Sequence, residues 1–170
     1  MGRTLTPRYP LPLSARLDTY HRACEEGTDE ELAKAAKALH KNELNSPTAM
    51  QGHRSFIGDA SVLTLAAWHN REVAIEIVVG RGANVDQEDE VGWTPMFTAL
   101  LHGNLAAALK LLELGALLDD DHLKHHDADF EQEFDPLELA LNISGSYKLV
   151  DALLAAGYRT KRRCTRRTRA

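Results

Sequence analysis

Apolar residues recur at helical spacing in short stretches of this chain, and glycines separate the stretches. Met96, Ala99 and Leu100 fall on one side of a helix, and a second apolar run over 105–112 ends before Gly115. Glycine at such a place is typical of a helix C-terminus, where a left-handed residue is favoured. No long stretch alternates apolar and polar residues as a strand would. The pattern therefore predicts an all-α protein with short, hairpin-like connections.

The predicted helix pairs repeat at a fixed spacing, which we call the repeat period. His102 lies 33 positions after His69, and the pair Gly115–Ala116 follows Gly82–Ala83 at the same spacing. A period of this length marks stacked units of secondary structure, none of which buries its apolar face alone. Proteins built in this way usually work by presenting a surface, so the repeat indicates binding before catalysis.

The motifs inside the repeat match a known family. Residues 94–97 begin with Thr-Pro, which suits an N-cap followed by the first turn of a helix. Gly103 falls at a mid-repeat turn, and Leu111–Leu112 with Gly115–Ala116 form a Leu-Leu-x-x-Gly-Ala ending. In these motifs the chain resembles an ankyrin repeat protein, although Met and Phe stand where that family usually has Leu and His. The resemblance implies a solenoid of helix-turn-helix repeats.

The resemblance covers most of the chain and divides it into repeat units. Residues 89–119 form the clearest copy, whereas the second copy has Ser61–Val62 in place of Thr-Pro and the terminal copies are degenerate. Atypical terminal repeats are expected, because one of their faces meets water. The predicted organisation is an extended arm over 1–13, a repeat domain over 14–160 with units near 14–45, 56–88, 89–121 and 130–160, and a tail over 161–170.

Charge is distributed unevenly. The tail 161–170 carries six Lys and Arg, which leaves 14 Lys and Arg against 25 Asp and Glu in the rest of the chain, a net charge of −11. The acidic residues concentrate in the connection 86–90 and in an insertion over 119–135. Acidic loops speed the encounter with basic partners. An acidic body opposes nucleic-acid binding, which needs a broad positive surface. The tail is either a solvated terminus or a localisation signal.

Other features bound the class of protein. No run approaches the roughly 20 apolar residues of a membrane helix, and the arm lacks the apolar core of a secretory signal. Cys24 and Cys164 have no disulfide-framework spacing, which favours a reducing compartment and a cytoplasmic location. Two oligomeric states remain open: a monomer, and a heterodimer with the partner protein.

Catalytic motifs are absent from the sequence: it has no nucleophile elbow, no zinc-protease helix and no phosphate-binding loop. His122, His125 and His126 lie among acidic residues and offer metal ligands, but their spacing matches no defined site. We therefore predict a non-enzymatic protein without a cofactor. A metal-dependent hydrolase that uses these three histidines is the third functional hypothesis, after two that involve protein binding.

The resemblance also implies which positions contact a partner. In ankyrin repeats these are the loop tips and the two variable residues before the mid-repeat glycine, on the concave side. Both tryptophans fall there. Trp93 is expected to be exposed, whereas for Trp68 exposure and packing between adjacent units both remain open. Together with the acidic start of the insertion, the predicted partner-binding residues are Trp68, His69, Glu88, Glu90, Val91, Trp93, Leu101, His102, Asp119, Asp120, Asp121, Asn142 and Ile143.

These observations lead to one main functional hypothesis. The chain is expected to bind a basic protein through an acidic, tryptophan-bearing face, as a bacterial immunity protein or antitoxin that neutralises a toxin would. The alternative is an adaptor or secreted effector that engages a host protein and uses the basic tail for localisation.

Overall fold

The computed structural model describes residues 13–45, 60–89, 92–117, 137, 140–141 and 147–158. In these parts of the chain the secondary structure is helical and no strand occurs, which confirms the all-α prediction for them. None of the helices there is long and apolar enough to cross a membrane. The helices are α1 (Leu13–Glu25), α2 (Asp29–Ala38), α3 (Val62–Trp68), α4 (Glu72–Gly80), α5 (Pro95–Leu101), α6 (Leu105–Glu113) and α7 (Tyr147–Ala155), with a 3₁₀ turn at Lys41–Glu43.

Helices α3 and α5 begin in the same way, one repeat period apart. The hydroxyl of Thr94 accepts a hydrogen bond from the backbone N–H of Phe97 at 3.2 Å. The hydroxyl of Ser61 accepts the equivalent bond from Thr64 at 3.0 Å. Each bond satisfies an amide that has no partner within its own helix. Ser61 therefore caps α3 as Thr94 caps α5, although the second copy lacks the Thr-Pro pair.

Left-handed residues end the helices where the sequence predicts them. Gly82 and Gly115 follow α4 and α6 with φ of +98° and +86°. Gly103 follows α5 with φ of +67°, and one period earlier Asn70 has φ of +56°. Asparagine tolerates this conformation better than most side chains. The turn after α3 thus keeps the backbone of the turn after α5 without a glycine.

The helices pack as two rows. In the first row, α3 packs against both α1 and α5; in the second row, α4 packs against α2 and α6, and α6 packs against α7. The pairs α1–α2, α3–α4 and α5–α6 connect the rows. Between them lies a core of buried aliphatic side chains, in which Ala66 and Ala99 are fully buried and allow close helix approach.

An ion pair ties the start of α1 to the end of the first helix pair. Nε of Arg16 donates to both carboxylate oxygens of Glu43, at 3.0 and 3.3 Å, and Nη2 of Arg16 also contacts Oε1. The backbone N–H of His40 donates to Oε2 of Glu43 at 2.6 Å. Because Glu43 is only 3% exposed, these donors supply the charge compensation that a buried carboxylate requires.

Candidate protein-binding face

Aromatic side chains from three stacked helices lie at one end of the first row. His21 belongs to α1, Trp68 ends α3, His69 follows it, and His102 follows α5. Trp68 and His69 are half-buried, and His102 is exposed. We call these four residues the aromatic face. Its composition, an indole among imidazoles, is typical of the apolar and amphipathic anchors that dominate protein interfaces.

Trp68 and His102 form a contact between neighbouring first-row helices. Their ring centroids are 3.8 Å apart and the rings are tilted by 45°. Nδ1 of His102 lies 2.9 Å from the carbonyl oxygen of Thr98. Because a carbonyl oxygen only accepts, Nδ1 carries the proton, and Nε2 of the neutral ring is an acceptor. The pair therefore offers a partner an indole surface beside a hydrogen-bond acceptor.

Side chains that follow the next first-row helix hold the ends of two first-row helices, α1 and α3. Nδ2 of Asn104 donates to the carbonyl oxygens of Ala67 and Trp68, at 2.8 and 2.6 Å. Arg71, one period earlier, makes the equivalent bridge: its Nε donates to the carbonyl of Cys24 at 2.7 Å. The bridges supply donors that a helix cannot give to its own last carbonyls. They therefore fix the backbone beneath the aromatic face.

His21 and His69 meet where α1 packs against α3. Their ring centroids are 5.8 Å apart in an edge-to-face arrangement. Burial lowers the pKa of His69, and the nearby charges of His21 and Arg71 lower it further, against a smaller opposing effect of Glu25. His69 therefore favours its neutral form, which leaves the aromatic face uncharged at this position near neutral pH.

The loop before α5 places Trp93 differently from the sequence prediction. The backbones of Asp89 and Trp93 pair through an N–H to O=C bond of 3.0 Å, and Oδ1 of Asp89 accepts from the N–H of Trp93 at 2.8 Å. The indole packs edge-on against Phe97 with ring centroids 5.3 Å apart. Trp93 is half-buried against the core, so the expectation that it is exposed is wrong. The apolar indole therefore extends the hydrophobic core beyond the start of α5.

The remaining predicted site residues divide into two groups. His69, Trp68 and His102 lie together in the aromatic face, Leu101 is half-buried against the core beside them, and Glu88 is exposed in the loop before α5. The second group lies outside the described residues: Glu90, Val91, Asp119, Asp120, Asp121, Asn142 and Ile143.

Sequence comparison within the chain missed His21. Its distance from His69 along the chain does not match the repeat period, so aligning the copies gave no reason to select it. The packing of α1 on α3 brings it to the face. The second row also carries exposed carboxylates, at Asp29, Glu30, Glu31, Glu72, Glu76, Glu113 and Asp151.

Reactive chemistry is sparse in the described parts of the chain. There, no group of three or more His, Cys, Asp or Glu side chains is arranged to hold a metal ion. His122, His125 and His126 lie outside these residues. Burial raises the pKa of Cys24 to about 12, with a smaller opposing effect from its hydrogen bond with Tyr20. Its thiol is therefore protonated at neutral pH and is a poor nucleophile.

The comparisons with known proteins give no assignment. No protein-family model matches the chain, and no curated protein matches it. The function is therefore inferred from the geometry of the face.

Trp93→Ala is expected to lower the free energy of unfolding by about 2–3 kcal/mol, because it removes a half-buried indole from the core beside Phe97. Trp68→Ala should cost no more than about 1 kcal/mol, since the half-buried Trp68 ring lies against an exposed histidine, whereas Trp93 lies against a buried phenylalanine. Urea denaturation followed by circular dichroism measures both values. Equal losses for the two variants would contradict the structural difference between the tryptophans.

Proposed function

We propose that this chain is a non-enzymatic, ankyrin-type repeat protein that binds a partner protein through the aromatic face. The observation that carries the proposal is the Trp68–His102 pair. It joins two neighbouring helices, combines a half-buried indole with an exposed imidazole, and is supported by the hydrogen bonds of Asn104 to the backbone of α3. A rigid aromatic pair loses little conformational entropy on binding, so it suits an interface anchor.

Equivalent hydrogen bonds one repeat period apart support the repeat architecture. Ser61 and Thr94 cap equivalent helices, and Arg71 and Asn104 bridge to equivalent carbonyls. Repetition of side-chain to backbone bonds is the behaviour expected of a solenoid.

The loops that follow the second-row helices repeat a bond of the same kind. The N–H of Asn84 donates to Oδ1 of Asn45, and the N–H of Leu117 donates to Oδ1 of Asp86. Leu117 lies one period after Asn84. The pairs α3–α4 and α5–α6 are therefore each tied to the helix pair before them at both ends.

The charge of the chain favours a basic partner. Without the tail 161–170 the chain has a net charge of −11, and exposed Glu25 and Glu88 add negative charge to the ends of the first-row helices and the loops. Long-range attraction of this kind raises association rates and selects partners of opposite charge. A cytoplasmic immunity protein or antitoxin that forms a heterodimer with a basic toxin is the role we favour.

The test is affinity capture from the native host with purified full-length protein. Wild type is compared with Trp68→Ala and with the triple variant Asp119/Asp120/Asp121→Asn, after circular dichroism confirms that each is folded. Tyr147→Ala is the matched control, because Tyr147 is a 78% exposed aromatic on α7, away from the face. We expect one basic partner, captured by wild type and control and lost by Trp68→Ala.

Salt and tail deletion separate the alternatives. Binding steered by charge should weaken at least about tenfold between 50 and 500 mM salt, since the Debye length falls to a few ångströms. Removal of 161–170 should leave capture unchanged. Dependence on the tail would favour an adaptor or effector, and retention of the partner by Trp68→Ala would refute the aromatic face as the binding site.

A further inference from the structure

Four ionisable side chains meet at the junction of α1 and α3. His21 and Glu25 come from α1, and His69 and Arg71 come from the turn after α3. Nδ1 of His21 lies 4.0 Å from a carboxylate oxygen of Glu25, and the two imidazole centroids are 5.8 Å apart. Arg71 reaches across the junction to the carbonyls of Cys24 and Glu25, at 2.7 and 3.4 Å. We call these four residues the junction cluster.

The charge of the junction cluster depends on pH. With both imidazoles neutral, the charged groups of the cluster are the Arg71 guanidinium and the Glu25 carboxylate, and Arg71 donates to the backbone carbonyl of Glu25. With both imidazoles protonated, the cations of His21, His69 and Arg71 lie together near the carboxylate of Glu25, which is 47% exposed and so partly screened by water. A positive charge on His21 opposes protonation of His69, and the carboxylate of Glu25 favours it.

Two of the helices that pack on α3 bring little compensating charge. Helix α5 has no ionisable side chain, and His102 after it lies against Trp68. On α4, Glu72 and Glu76 are exposed members of the second row. Neither helix places a buried carboxylate beside the imidazoles.

The second-row neighbours of the junction have charges that are already engaged or exposed. On α6, Lys110 is paired with Glu113 at 2.7 Å. Helix α2 packs on α1, but the acids of its first turn are exposed, and Glu31 among them accepts from the backbone N–H of Thr28 at 3.0 Å. The burial of His69 and the opposing charge of His21 both depend on the contact between α1 and α3, so separation of these two helices relieves them.

We propose that the junction cluster makes the contact between α1 and α3 acid-sensitive, so that α1 loosens from the stack before the later helices do as the pH falls from about 7 to about 5. The direction follows from linkage. The pKa of His69 is lowered from its ordinary value of 6.5 in the folded chain, so the opened state takes up the proton more readily. The contribution of neutral His69 to the stability of the α1–α3 contact is complete above pH 6.5, and it is lost as the pH falls through the lowered pKa that His69 has in the folded chain.

Amide hydrogen exchange of the full-length chain at pH 7.2 and pH 5.2 tests this proposal, with rates corrected for the intrinsic pH dependence of exchange. Each histidine contributes at most a tenfold rise in the opening constant per pH unit. We expect the opening constant of α1 to rise about tenfold more than that of α6. Because α1 and α6 are compared within the same molecule, any general effect of acid on the fold cancels.

Single substitutions assign the effect to the cluster. His69→Gln and His21→Gln should each bring the acid response of α1 close to that of α6, and Glu25→Gln should enlarge it. His102→Gln is the matched control and should behave as wild type, because it removes an imidazole outside the cluster. An equal response of α1 and α6 in wild type, or an unchanged response in His69→Gln, would overturn the proposal.

The experiment needs no partner, so it is independent of the proposed function. A chain that binds nothing at the aromatic face still has the junction cluster, and a chain without an acid response still has the Trp68–His102 pair. Failure of one proposal therefore leaves the other in place.

Discussion

Replacement of Trp68 with alanine should weaken binding of the captured partner about a hundredfold while the chain stays folded. Central interface tryptophans contribute about 2–4 kcal/mol when truncated, and a factor of one hundred corresponds to about 2.7 kcal/mol. The indole is only half-buried, and Asn104 donates to the backbone carbonyl of Trp68, so little reorganisation offsets the loss. Isothermal titration calorimetry of the purified pair measures the change.

His102→Ala provides a second, coupled measurement. Its ring supports the indole from α5 at 3.8 Å, so the single variant should lose about tenfold in affinity. The double variant with Trp68→Ala should lose less than the product of the two single effects, because neighbours that share a contact are not additive. Tyr147→Ala should bind as wild type. Equal affinities for Trp68→Ala and Tyr147→Ala would show that the partner binds elsewhere.

Replacement of Glu43 with alanine should lower the free energy of unfolding by about 3 kcal/mol. The variant leaves Arg16 without the bidentate carboxylate at a site where its side chain is 13% exposed. Removal of one member of a buried ion pair is strongly destabilising because the other charge keeps its desolvation cost. The backbone N–H of His40 loses its acceptor as well. Urea denaturation at pH 7 gives the value.

The stability lost in Glu43→Ala depends on pH, and the pKa of Glu43 decides the direction of that dependence. Burial opposes the charged form of Glu43, but hydrogen bonds from Arg16 and from the backbone of His40 outweigh it and lower its pKa below 4.5. A carboxyl with a lowered folded pKa stabilises the fold above its unfolded value and loses that contribution in acid. The difference between wild type and Glu43→Ala should therefore shrink as the pH falls below about 4.5.

Asp18→Ala is the control for this prediction. Asp18 is an exposed acid on α1, the same helix as Arg16, and its loss should change the free energy of unfolding by no more than about 0.5 kcal/mol. A similar cost for the two substitutions would mean that net charge, not the buried pair, explains the effect of Glu43.

Much of the local structure follows from sequence pattern. Thr94 and Pro95 begin α5, and Gly82, Gly115 and Gly157 end helices with positive φ, as the spacing predicts. Caps and left-handed ends depend on a few neighbouring residues, so their signals are local and readable. Ser61 shows the limit of a family motif, because a different residue makes the same cap.

The two tryptophans show that aligning the copies one repeat period apart does not determine how deeply a side chain is buried. Both occupy positions at which the resemblance implies partner contact, but only the packing distinguishes Trp68, against exposed His102, from Trp93, against buried Phe97. A repeat register states which positions are equivalent. It does not state how deeply a large ring is covered, because that depends on the neighbouring unit and on the loop backbone.

The sequence by itself determined the helical period, the ends of the helices and the acidic body, because each of these depends on residues close together in the chain or on their total. Only the tertiary structure decided the long-range partners. It brought His21 to His69 and Arg16 to Glu43, residues that lie far apart along the chain. Such pairs carry no periodic signal, because they form only when the helices pack against one another.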